Sequence, residues 1–155
     1  MMNTESPENH IKENLKIISK NEIDINADNL VQIMVFIANK HNIELGITLN
    51  VKGLIVSGML VSNQTYFEGL TDEVEASNAE QVAKELFKST FNSLANTSES
   101  SSSNGDGSQE SLPLFIHLKE ARMYPSQNTS PIPTAGVWWR GKISEVSSFS
   151  WGLLN

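Results

Sequence analysis

Residue types that could do chemistry concentrate in two short blocks of this chain. One is Trp138-Trp139-Arg140-Gly141-Lys142, close to a C-terminus that holds all three tryptophans. The other is Phe115-Ile116-His117-Leu118-Lys119. Cations interleaved with large aromatics suit the holding of a carboxylate or phosphate, or a cation–π contact. Tryptophan is costly to expose, so such a cluster either anchors a core or forms a contact surface. Phe115, His117, Lys119, Trp138, Arg140 and Lys142 therefore make up a candidate partner-binding surface. The plainer alternative for Arg140 and Lys142 is a solvent-facing, half-buried strand with Trp138 shielding the sheet.

Other chemistries lack their residues. The chain has no cysteine, which excludes disulfides, thiolate metal sites and cysteine nucleophiles. His10, His41 and His117 lie in a tail, at a helix end and on a strand, without ligand spacing, so no metal is expected. His41 instead suits the C-terminal end of a helix dipole. There is no G-x-S-x-G elbow, no P-loop and no dinucleotide fingerprint. Ser57 sits mid-strand, and Asp72 and Glu73 read as a solvated turn. No catalytic residue, no cofactor and no enzymatic activity follow from these patterns.

Charge narrows the partners. The net charge of −7 divides into −9 over residues 1–111 and +2 over residues 112–155. An acidic bulk disfavours nucleic acid, whose binding rests on neutralised phosphates. The basic C-terminal third suits an acidic partner. No apolar run approaches the roughly 18 to 20 residues of a membrane span, and the polar, acidic start from Met1 to His10 is unlike a secretory signal.

These blocks need elements to position them. Ile11, Leu15 and Ile18 recur at i, i+4 and i+7, a short amphipathic helix ending near Lys20 that must dock onto its own domain or a partner. It belongs to an N-terminal arm over residues 1–25. A single α+β domain then spans residues 26–155. Its first helix runs from a cap at Asn26 or Asp28 to about Asn42, with a broad apolar stripe around Leu30, Ile33, Met34 and Ile37. Ile43, Leu45, Ile47, Leu49 and Val51 alternate with Glu44, Gly46, Thr48 and Asn50, a half-buried strand. Lys52-Gly53 forms a tight hairpin turn, which pairs Val51 with Leu54, Leu49 with Val56, Ile47 with Gly58 and Leu45 with Leu60. A short helix over 64–71 follows, then a longer one opened by a capping box at Ser77 and Glu80. The stripe of that longer helix runs from Ala79 through Val82, Leu86, Phe87 and Phe91 to Leu94.

Residues 96–111 hold seven serines and no apolar side chain, which predicts a disordered insert. Strands return at Leu114–Lys119 and around Val137–Ser144. Trp139 joins Val137 and Ile143 on the core side, while Trp138, Arg140 and Lys142 face the other way. The expected architecture is an antiparallel sheet of about four strands with helices packed on one face, in the order α-α-β-β-α-α-β-β. The opposite face would be free to bind.

The order and wording of these segments also carry a resemblance. Ile47-Thr48-Leu49-Asn50-Val51-Lys52-Gly53, Val56-Ser57-Gly58, Phe115-Ile116-His117-Leu118-Lys119 and Trp139-Arg140-Gly141-Lys142-Ile143, then Glu145-Val146, Phe149 and Gly152, resemble the gas vesicle accessory protein family GvpU. The similarity runs from about Asp28 to Leu153 and leaves out the N-terminal arm and the serine-rich insert. It implies a cytoplasmic, non-catalytic protein that acts on how gas vesicles associate. The implied partners are a vesicle shell protein or other gas vesicle accessory proteins, with a homo-oligomer left open and neither nucleic acid nor membrane. The alternative is a small cytoplasmic adaptor or ligand-binding domain, unrelated to gas vesicles, that uses the free sheet face.

Overall fold

The computed structural model describes residues 29–97, 112–125 and 130–154, together with Glu8, Asn9, Lys12 and Lys16, which are helical and exposed. The amphipathic helix expected over 11–20 lies mostly outside the described residues, as does nearly all of the serine-rich insert.

Helix α1 (Asn29–His41) carries the basic residues Lys40 and His41 in its last turn, and the Lys40 charge suits the negative end of the helix dipole. Asn42 then takes a left-handed φ of 50° and turns the chain out of the helix. Strands β1 (Leu45–Val51) and β2 (Leu54–Val61) pair in the expected register, Leu45 with Leu60 through Val51 with Leu54. Lys52 and Gly53 both have positive φ, 51° and 89°, as a two-residue turn matching strand twist requires. The Asn50 carboxamide oxygen accepts the Gly53 N–H at 2.8 Å and steadies that turn.

Helix α2 (Asn63–Ala76) is much longer than the expected 64–71. The Ser62 hydroxyl caps it by accepting the Thr65 N–H, and the Asn39 carboxamide of α1 accepts the Asn63 N–H at 2.8 Å. Helix α3 (Gln81–Ala95) follows, but the expected capping box does not form. Glu80 is its N-cap and makes no side-chain bond, while Ser77 instead terminates α2 by bonding the Val74 carbonyl.

Strands β3 (Phe115–Tyr124), β4 (Ile132–Lys142) and β5 (Val146–Trp151) complete a five-stranded antiparallel sheet in the order β4-β3-β2-β1-β5. The expected four strands become five because Ile143–Glu145 forms a 3₁₀ turn, after which the chain reaches the far edge and pairs with β1. Among the described residues the order is thus α-β-β-α-α-β-β-β.

That short link dictates the sheet's shape. In a flat sheet β4 and β5 would stand four strand spacings apart, about 19 Å. The step from Lys142 to Val146 reaches at most about 14 Å. The sheet therefore curls, and bulges in β3 add to the curl. Ile143 donates its N–H to Leu114 O at 2.9 Å, while Glu145 pairs with Lys52 at the hairpin tip, also at 2.9 Å. Opposite corners of the sheet are tied together within three residues.

Inside the curl lies the main core. Val31, Met34, Val35 and Ala38 of α1 meet Ile47, Leu49, Val56, Leu60, Ile116, Leu118, Ala121 and Ile143. Trp139 packs against this cluster on the expected side. The single-sided helix layer does not hold, however. Helix α2 lies on the opposite face, where Val61, Tyr66 and Phe67 form a second cluster with Trp138, Phe91 and Leu94. Trp138 needs cover, and Gly69 of α2 supplies room for it: a Cβ there would fall 2.0 Å from the indole ring.

Candidate interaction surface

Strand register places all six sequence-selected residues on one face of the sheet. Phe115 pairs with Lys142 and His117 with Arg140, and Trp138 shares their face. Lys119 pairs with Met59 on the same side. Their environments then diverge.

His117 is buried. Its ring lies 4.5 Å from that of Tyr66 and 5.9 Å from that of Phe67, centroid to centroid. Neither ring nitrogen has a hydrogen-bond partner among the described residues. Burial, with the nearby Arg140 charge as a smaller cause, pushes its pKa down to about 3. The imidazole is therefore neutral at ordinary pH, and an uncharged ring filling an aromatic pocket replaces the accessible histidine expected from the strand pattern. Trp138 is half-buried beneath α2, edge-on to Tyr66 at 6.0 Å. Lys119 forms an ion pair with Glu44 at 2.6 Å.

Arg140 and Phe115 do come together at the surface. The guanidinium lies over the phenyl ring, 3.6 Å from its centroid, and Lys142 is exposed on the next outward position. This is a cation–π stack at one corner of the sheet, and it fixes the guanidinium plane.

The remainder of this face is not free either. After β5, Gly152 turns with φ 96° and the chain folds back over β1 and β2. The Leu154 N–H bonds Ser57 Oγ at 2.8 Å, and Thr48 Oγ1 bonds the Gly152 carbonyl at 2.9 Å. Thr48 and Ser57 are also 2.9 Å apart. Since Leu154 has only a proton to give and Gly152 only lone pairs, the Ser57 hydroxyl must donate to Thr48. Leu153 packs where a Cβ on Gly46 would fall. Helix α2 covers one end of the face and this C-terminal strap covers the other.

Trp151 is the aromatic that sequence reasoning passed over. It is 69 % exposed, with exposed Leu153 and Leu154 beside it in sequence. Its signal was its place at the very end of an alternating run, on a strand with a neighbour on one side only. Among the described residues no group of His, Cys, Asp and Glu is arranged to hold a metal ion, and no helix is long and apolar enough to cross a membrane.

A family model described as gas vesicle protein GvpU-like matches residues 28–154. No curated protein and no solved structure shows a significant match.

Proposed function

This chain belongs to the GvpU-like family of gas vesicle proteins, and from that premise we propose that it is a non-catalytic accessory protein acting at the surface of cytoplasmic gas vesicles. It binds the shell, itself or another accessory protein, and so modulates vesicle clustering. The observation that carries this reading is the cationic corner of the sheet, Arg140 stacked on Phe115 with Lys142 alongside, inside the family-matched region. A guanidinium held flat on a ring is preorganised for a carboxylate on a protein partner. A vesicle shell repeats one subunit many times, so even a weak contact at this corner is multiplied by valency. The adaptor reading loses support, because the free sheet face it requires is covered by α2 and the C-terminal strap.

Flotation tests the reading. Purified protein is mixed with intact vesicles, or with vesicles collapsed by pressure, and centrifuged gently. Protein rising with intact vesicles alone, and lost from that fraction by Arg140→Glu with Lys142→Glu, supports shell binding through this corner. Protein that stays in the liquid at every salt concentration removes direct shell binding.

A further inference from the structure

The two edges of the sheet are built differently. Strand β4 carries Pro133, which has no N–H, a left-handed Gly136 with φ 75°, and the cations Arg140 and Lys142. Proline and charge are ordinary guards against another strand pairing at an open edge. Strand β5 reads Val-Ser-Ser-Phe-Ser-Trp and has neither. It ends in Trp151, the most exposed large apolar side chain among the described residues.

The ladder with β1 fixes which backbone groups of β5 are open. Gly152 donates its N–H to Gly46 O at 2.9 Å, and the pairs Ile47–Trp151, Thr48–Ser150 and Leu49–Phe149 continue from there. Bonded pairs alternate in an antiparallel ladder, so Ser150 turns its backbone groups toward β1. Phe149 and Trp151 turn theirs outward, where no further strand lies among the described residues. The open run is short. A register shift at Ser147 bounds it on one side, and the turn at Gly152 bounds it on the other.

So short a run selects one symmetric register. A twofold axis through Ser150, perpendicular to the sheet, sets Phe149 of each copy opposite Trp151 of the other. Every outward N–H and carbonyl of these two residues then gains a partner. The same pairing lays each Trp151 beside Phe149 of the second copy, on the face where Phe149 already packs against the main core. Copies repel through a net charge of −7, but the paired strands bring no charge together. Any extended segment would gain main-chain bonds here. A second copy is favoured because it brings an uncharged strand with an aromatic opposite each open position. We propose that two copies of this chain join edge to edge through β5 into one continuous antiparallel sheet, with Ser150 on the axis. This specifies the self-binding arm of the function proposed above. It is measured without vesicles, so a failure of shell binding in flotation is a separate result.

The absence of cysteine makes the register measurable. On the axis, the two Ser150 residues form a non-bonded pair with Cα atoms about 4.5 Å apart, within disulfide reach. Ser148 is exposed on the same strand, but in this register it lies about 13 Å along the strand from its own counterpart. Under mild oxidation the full chain with Ser150→Cys should form a linked dimer many times faster than the chain with Ser148→Cys. Equal rates, or faster linking through Ser148→Cys, would overturn the proposal. Sedimentation velocity over a concentration series gives a second arm that needs no cysteine. The parent chain should pass from monomer to dimer, more readily in high salt, where repulsion between acidic copies is screened. Ser150→Lys puts like charges on the axis and should hold the chain monomeric with its thermal melt unchanged. A parent chain that is monomeric at every concentration, or a dimer that Ser150→Lys leaves intact, would also overturn it. A monomeric parent that loses vesicle flotation through Ser150→Lys would assign the edge to an extended segment of another protein instead.

Discussion

Under α1 the sheet presents Ile47, Leu49, Val56, Leu60, Ile116 and Leu118, aliphatic and fully buried. Under α2 and the C-terminal strap it presents Val61, His117, Trp138, Thr48 and Ser57 instead. The first face is held by non-directional apolar burial, which tolerates changes of shape but not loss of volume. The second combines ring packing, glycine-made clearances and directional hydrogen bonds. Its stability therefore depends on protonation and on single atoms in a way the first does not.

Acid should separate the two faces most strongly. His117 stays neutral in the folded chain down to about pH 3, whereas an unfolded chain protonates it near 6.5. Between those values the unfolded state binds a proton that the folded state refuses, so stability falls as pH falls. The full loss by pH 3 is about 4–5 kcal/mol from this one group. Denaturant melts across pH should show a shallower acid decline for His117→Phe than for the parent chain. An identical decline would mean that other groups dominate.

On the first face, Leu118→Ala should cost about 3–4 kcal/mol and be independent of pH over this range, because it deletes buried volume without touching a charge. Thermal melts at pH 4 and pH 7 read both parts of that expectation. Gly69→Ala should cost about 1–3 kcal/mol by driving a methyl into the Trp138 ring. Trp138→Leu in the same chain should recover part of the loss, and additive penalties would show that the clearance is unimportant. The smallest effect belongs to the strap. Ser57→Ala removes the link between Leu154 and Thr48 and should cost about 1 kcal/mol, seen as faster amide exchange at Leu154.

The first face was the legible one. Alternation from Leu45 to Val51, and a Lys-Gly turn, sufficed for the β1–β2 register residue by residue, because a one-residue slip would turn every apolar side chain outward. The side taken by Trp139 and by Trp138 followed from the same period of two. The second face was misread where local pattern has several tertiary outcomes. The apolar stripe of α3 looked like one core face, yet only part of it meets α2. Ser77 and Glu80 matched a capping motif in spacing, but the Ser77 hydroxyl was engaged by the end of α2. Val146–Trp151 received no strand assignment from the sequence, because its partner, β1, lies nearly a hundred residues away in the chain.

By itself the sequence determined which residues alternate, where the hairpin turns, that an α+β sheet forms, and that residues 28–154 match the GvpU-like family. All of these depend on spacing between near neighbours or on residue identity. Only the tertiary structure decided that the sheet curls, that helices lie on both of its faces, and that His117 is sealed in while Arg140 stays at the surface. Those outcomes depend on a three-residue link, a glycine opposite a tryptophan, and a strap that closes across the sheet. Each brings distant segments together, and no local pattern records which segments will meet.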